Sequence, residues 1–192
     1  VQNDTVCVFL GLKSGGFESP YFLDVGDDPE SIAIGDFNDD EALDFAVANS
    51  ESDDVSIYLS LGSGEFAGMP NVQAGDFPRS IQPGDFNFDG ILDLAVANRL
   101  SSDVTILLGN GDGTFVSSSS FNVGFRPVDL EVGNFNKDQF LDIVTANSNG
   151  ESVSVLLGSS EGFFEPHYTI DIGTDLFTVT VADLNQDGSL DI

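Results

Sequence analysis

An all-β fold, a β-propeller built from 49-residue four-stranded blades, is predicted by three features of the chain. Nine-residue acidic loops recur at a spacing of 49: Asp36–Asp44 (DFNDDEALD), Asp85–Asp93 (DFNFDGILD), Asn134–Asp142 (NFNKDQFLD) and Asp183–Asp191 (DLNQDGSLD). The same period runs through Gly26, Gly75, Gly124 and Gly173, through Val6, Val55, Val104 and Val153, and through Phe17, Phe66, Phe115 and Phe164. The segments between loops carry strand periodicity, and none shows helical spacing over a useful length. A repeat of this length is one supersecondary unit that buries its faces against neighbouring copies.

Each unit reads as four strands. Ahead of the loop, Ser31-Ile32-Ala33-Ile34, Asp129-Leu130-Glu131-Val132 and Thr178-Val179-Thr180-Val181 alternate as a first strand does. After it, LDFAVAN, LDLAVAN and LDIVTAN are near-continuous apolar runs that suit a strand covered on both faces. A short polar loop leads to a third strand (VSIYLSL, VTILLG, VSVLLG). Glycine-rich turns such as Gly109-Asn110-Gly111-Asp112-Gly113 then reverse the chain into a variable fourth strand. Four short strands at this period indicate a propeller blade.

The expected organisation is a single domain or propeller segment over 1–192, with continuous blades at 31–74, 80–123 and 129–172. Strands three and four at 1–25 and strands one and two at 178–192 are complementary. They would make a composite blade, giving about four in all if the ring closes. Closure removes open sheet edges. The same edges pairing between molecules would give a head-to-tail filament instead, and an excerpt of a larger ring is the third arrangement.

Apolar content of 41% with 10% aromatics marks a folded chain rather than an acidic tail. Against 33 Asp and Glu stand only 5 Lys and Arg, a net charge of −28 that repels nucleic acid and anionic membrane surfaces. No stretch has the apolar length of a membrane span, so no membrane insertion is expected. Cys7 is the lone cysteine and aligns with Ser56, Thr105 and Ser154, which points to a small side chain within a sheet.

The loops read as metal sites. Calcium takes six to eight oxygens, and oxygen-bearing side chains at positions 1, 3, 5 and 9 with a carbonyl at 7 can wrap it. The side chains are Asp36, Asn38, Asp40 and Asp44 with the Ala42 carbonyl; Asp85, Asn87, Asp89 and Asp93 with Ile91; Asn134, Asn136, Asp138 and Asp142 with Phe140; and Asp183, Asn185, Asp187 and Asp191 with Ser189. Gly90 supplies a turn at position 6, where Glu41 and Gln139 stand in the first and third loops. Acids at fixed slots repel unless a cation lies between them, so up to four Ca²⁺ are expected. Four would bring the net charge to about −20. The closing acid at position 9 and the strand after it separate these loops from an EF-hand.

GDFNFDGILDLAVAN and its counterparts resemble the FG-GAP/VCBS repeats of integrin-α-type β-propellers, over essentially the whole chain. The resemblance implies a propeller with calcium in the loops between first and second strands, commonly seven-bladed and in extracellular or cell-surface proteins.

The connections on the other side of the blades hold Arg79, Arg99 and Arg126, with Phe77 and Phe125. Arginine beside exposed aromatics is enriched at binding hot spots, but pairing of each arginine with nearby acids and phenylalanines filling gaps between blades is the simpler account. Asn3-Asp4-Thr5 is an N-glycosylation sequon. His167 is the only histidine and has no counterpart in other repeats, so no catalytic constellation is expected. The sequence thus predicts a non-catalytic, calcium-stabilised extracellular binding or adhesion module with a protein or glycan ligand. A filament or surface-layer protomer is the alternative, and the propeller part of a secreted enzyme or a lectin lies further off.

Overall fold

The computed structural model describes residues 4–159 and 163–192. Asn3 lies outside the described residues. Fifteen strands are present among them, and three four-stranded antiparallel arrangements repeat with the predicted period. The first unit comprises β3 (Pro29–Gly35), β4 (Asp44–Asn49), β5 (Asp54–Ser60) and a fourth strand split into β6 (Phe66–Gly68) and β7 (Val72–Gln73), both paired with β5. Pro70 falls in the split, where a residue without an N–H cannot hold the ladder. The second unit is β8 (Pro78–Gly84), β9 (Asp93–Asn98), β10 (Asp103–Gly109) and β11 (Phe115–Asn122). The third is β12 (Pro127–Gly133), β13 (Asp142–Asn147), β14 (Ser152–Leu156) and β15 (Tyr168–Asp171).

Each first strand opens with proline, and the register slips by one residue just after it, at Pro29, Pro78 and Pro127. Second strands β4, β9 and β13 are buried at all six positions, as their unbroken apolar runs require. First strands of successive units run side by side, β3 against β8 and β8 against β12. The cores lie between units. One joins Ala33, Ala46, Ala48, Val55 and Ile57 to Ile81, Leu94, Val96 and Phe115; a second joins Ala95, Ala97, Val104 and Ile106 to Leu130, Ile143 and Leu156. Small alanines on one blade therefore meet branched side chains on the next, which lets the sheets approach closely.

A buried amide closes the far end of every second strand. Asn49 donates to Asp54 (2.8 Å) and Ser56 (2.9 Å), Asn98 to Asp103 (2.7 Å) and Thr105 (2.8 Å), and Asn147 to Ser154 (2.9 Å). Gly75 and Gly124 lie against these amides: a Cβ there would sit 2.6 and 2.3 Å from the Asn98 and Asn147 nitrogens. That contact, with Gly26 against Asn49, accounts for three of the four periodic glycines, while Gly173 stands in open space at φ 78°.

The residues expected to form the composite blade lie at the two ends. β1 (Thr5–Val8) and β2 (Tyr21–Asp24) pair only with each other, and 178–181 form no strand; Ala182 and Asp191 make one isolated bridge. Side chains that would face a composite blade are uncovered. Ile32 is 50% exposed, whereas its repeat equivalents Ile81 and Leu130 are buried. Cys7 is likewise exposed while Ser56, Thr105 and Ser154 are buried, because no second strand covers β1.

Candidate functional site

The four acidic loops share most of their hydrogen bonds. In the first, second and fourth, the carboxylate at position 1 accepts from the N–H groups at positions 5 and 6: Asp36 from Asp40 (3.1 Å) and Glu41 (2.7 Å), Asp85 from Asp89 (3.1 Å) and Gly90 (2.9 Å), Asp183 from Asp187 (3.0 Å) and Gly188 (2.9 Å). Position 5 accepts from the N–H at position 7 in all four, at 2.7–2.8 Å. These bonds curl the loop by turning the carboxylates at positions 1 and 5 toward its own backbone.

Position 9 is the anchor. Asp44, Asp93 and Asp142 are buried, each accepting from the N–H at position 2 and from a third-strand N–H sixteen residues on: Phe37 and Ser60, Phe86 and Gly109, Phe135 and Gly158. Burial pushes the Asp93 carboxyl up to about 6 against the N–H donors of Gly109 and Phe86, and the charges of Asp89 and Asp85 add to the rise. Burial raises Asp142 too. At position 1, burial works upward on Asp36, but the N–H groups of Glu41 and Asp40 outweigh it and hold the carboxyl below its usual range. The Ser189 N–H lowers Asp187 in the same way.

Backbone conformation sorts the loops as their sixth residues suggest. Positions 4 and 6 have positive φ in the first (Asp39 59°, Glu41 67°), second (Phe88 62°, Gly90 87°) and fourth (Gln186 63°, Gly188 80°). In the third only Lys137 does, and Asn134 donates its amide to the Asp138 carbonyl instead of accepting as an aspartate would. The third loop thus departs from the other three where Asn134 and Gln139 replace their residues.

The donor set suits a hard cation: every group is oxygen. Asn38 Oδ1 in the first loop and Asn134 Oδ1 in the third are shielded from solvent and accept no hydrogen bond. A shielded acceptor without a donor costs about 1–3 kcal/mol, which a bound cation would relieve. Among the described residues, no three Asp, Glu, His or Cys side chains converge on one point, since the carboxylates are turned to the loops' own N–H groups. Asn38, Asn87 and Asn136 orient their neighbours by donating to the position-5 carboxylate (2.7–2.9 Å).

On the opposite side, the five candidate contact residues divide. Arg79 pairs with Glu30, as expected for an arginine in an acidic protein. Arg99 lies over the Phe77 ring at 5.9 Å and Arg126 over Phe125 at 5.4 Å, and among the described residues neither has an acidic partner. Phe125 is exposed and Phe77 half-buried. A cavity of about 230 Å³ brings Arg79 and Arg99 together with Ser148, Asn149, Asp175 and Phe177. Sequence reasoning missed the last four. The signal was present, because Glu30, Arg79, Val128 and Phe177 are equivalent positions of the repeat and so line one mouth of the array.

A family model described as an FG-GAP-like repeat matches residues 36–96, 85–145 and 134–192. No curated protein matches the chain in sequence. In three dimensions it is similar to the periplasmic gluconolactonase of Pseudomonas aeruginosa (TM-score 0.71, 15% identity, 90% of this chain and 49% of that one). It is also similar to an Agrocybe aegerita lectin that recognises non-reducing terminal N-acetylglucosamine (TM-score 0.61, 17% identity, 92% of this chain and 48% of that one). At these identities the likeness establishes the propeller-like fold, and the chain spans about half the length of these structures.

Proposed function

Because this chain belongs to the FG-GAP-like repeat family, we propose that it is a calcium-stabilised binding or adhesion module of the cell surface or extracellular space, without catalytic activity. The observation that supports the metal part is the shielded Asn38 Oδ1, which accepts no hydrogen bond among the described residues, in a loop whose side-chain donors all carry oxygen. Calcium rather than magnesium is the cation, since loops rich in protein oxygens suit a large, irregular shell. With calcium fixing one side of the blades, the ligand meets the other, where Phe77, Arg79, Arg99, Phe125 and Arg126 gather. A protein or glycan suits that side; nucleic acid does not, given the charge of −28.

Thermal unfolding with calcium and with chelator tests the reading. At calcium a thousandfold above the dissociation constant, each site adds about 4 kcal/mol. A melting temperature indifferent to calcium would refute it.

A second reading, a protomer of an extracellular filament, is favoured by the uncovered apolar residues at both ends: Ile32 and Ile34 on the first unit, Phe177, Leu184 and Ile192 on the last. Sizing and electron microscopy of calcium-replete protein decide between them, with uniform monomers counting against assembly.

A further inference from the structure

We infer that the cavity at Arg79 and Arg99 is a binding site for a single carboxylated sugar unit, of the uronic acid class. This deepens the reading of the chain as a binding module and rests on it. The first ground is Arg99. Its Nε is shielded from solvent and has no acceptor among the described residues, although 33 acidic residues outnumber the basic ones more than sixfold. The Phe77 ring under the guanidinium fixes its plane. A carboxylate in the cavity would pair with the terminal N–H groups of the guanidinium, since the shielded Nε is as closed to a ligand oxygen as it is to water. Arg79, paired on one side with Glu30, adds a second cation to the same cavity.

The second ground is what surrounds the arginines. Asp175 lines the cavity yet forms no ion pair with Arg79 or Arg99 among the described residues, so its oxygens remain acceptors for hydroxyl groups. The Ser148 hydroxyl lies within reach of both the Arg126 carbonyl (3.2 Å) and the Asn149 side-chain oxygen (3.3 Å), and the Asn149 amide is left as a donor. Phe177 is 82% exposed at the rim, a ring face on which the C–H side of a sugar can lie. Carboxylate donors at one end, hydroxyl partners at the other and an aromatic platform match a hydroxylated ring bearing one acid group. At about 230 Å³ the cavity lies below the roughly 300–1,000 Å³ of drug-sized pockets and takes one ring. The net charge of −28 sets the remaining condition: a polyanion is repelled, so the acid group is isolated, on a monosaccharide or at the end of a neutral glycan.

The test is calorimetric titration of the calcium-replete chain with methyl β-D-glucuronide, its methyl ester and methyl β-D-glucoside. The glucuronide is expected to bind with a millimolar dissociation constant and the two uncharged compounds about tenfold more weakly or worse. This ligand-side comparison needs no variant. Arg99→Met and Phe177→Ser should each weaken the glucuronide by about tenfold, with melting temperatures unchanged. Equal binding of the ester overturns the carboxylate assignment. Acetate binding as tightly as the glucuronide, with Phe177→Ser silent, overturns the sugar assignment. No heat of binding up to about 10 mM glucuronide overturns the site. A calcium-dependent rise in melting temperature in that same sample would leave the metal reading standing, whereas its loss alongside glucuronide binding would remove the metal reading alone.

Discussion

The loop of the second unit, Asp85–Asp93, and the terminal loop, Asp183–Asp191, share nearly the same residues at the proposed ligand positions but are held differently. Asp93 is fully buried and accepts from Phe86 (3.0 Å) and Gly109 (2.9 Å), so its third strand reaches back to fix the last ligand. Asp191 accepts from Leu184 (2.9 Å) and is only half-buried. The bonds inside each nine-residue arc are matched to within about 0.1 Å. A local turn is therefore written by local residues, whereas the rigidity of its closing carboxylate is supplied by the strands around it.

The largest break in this comparison should come from Asp93→Ala. It leaves two buried N–H groups without an acceptor, at a cost of about 4 kcal/mol, while Asp191→Ala costs about 1 kcal/mol. Urea unfolding of the two variants measures the ratio, and equal losses would show that the third strand adds nothing.

Next comes pH, in chelator. A folded-state value of about 6 against 3.8 means that the folded protein holds a proton the unfolded chain releases between those values. Asp93 therefore favours folding below pH 3.8, and that contribution fades as pH rises through about 6, by about 3 kcal/mol in all. The wild-type stability minus that of Asp93→Asn, followed from about pH 4 to about pH 7, isolates it. A difference that is flat or rises with pH contradicts the assignment.

A third contrast concerns how each loop docks on the preceding unit. A Cβ at Gly84 would meet Leu141 at 2.9 Å, and one at Gly35 would meet Leu92 at 2.8 Å, so a loop leucine fills the notch beside the previous unit's glycine. Their equivalent Leu43 is 66% exposed. Leu141→Ala should cost about 2 kcal/mol and Leu43→Ala under about 0.5 kcal/mol, read by chemical denaturation. A comparable loss at Leu43 would reveal that another surface covers it in solution.

The smallest effect is a gain. Glu41 sits at φ 67° where Gly90 and Gly188 stand in their loops, and a left-handed non-glycine residue costs about 1–2 kcal/mol. Glycine's greater unfolded-state freedom cancels part of the relief, leaving Glu41→Gly about 0.5 kcal/mol more stable by thermal melt. Destabilisation would show that Glu41 makes up its strain through a contact of its own.

Much of the fold was legible in the chain. The alternating first strands and the near-continuous apolar second strands were both readable in the chain, and strands form at those segments in each of the three units. The loop arcs were legible for the same reason, since an Asx residue bonding to N–H groups a few positions on is a short-range event. The exposure of Ile32, Leu43 and Cys7 was not, because a residue's cover belongs to the neighbouring sheet. Nor was the cavity partner set of Arg79 and Arg99, whose Asp175 and Phe177 stand in a connection between units, far along the chain.

The sequence by itself determined the period, the four-stranded unit and the oxygen pattern of the loops, for each depends on contacts within a few residues or on repetition. Only the tertiary structure decided how the units pack against one another, and that among the described residues Arg99 has no acidic partner. Those outcomes turn on which surfaces meet across long sequence distances, and pairing, burial and charge at such meetings depend on separation in space.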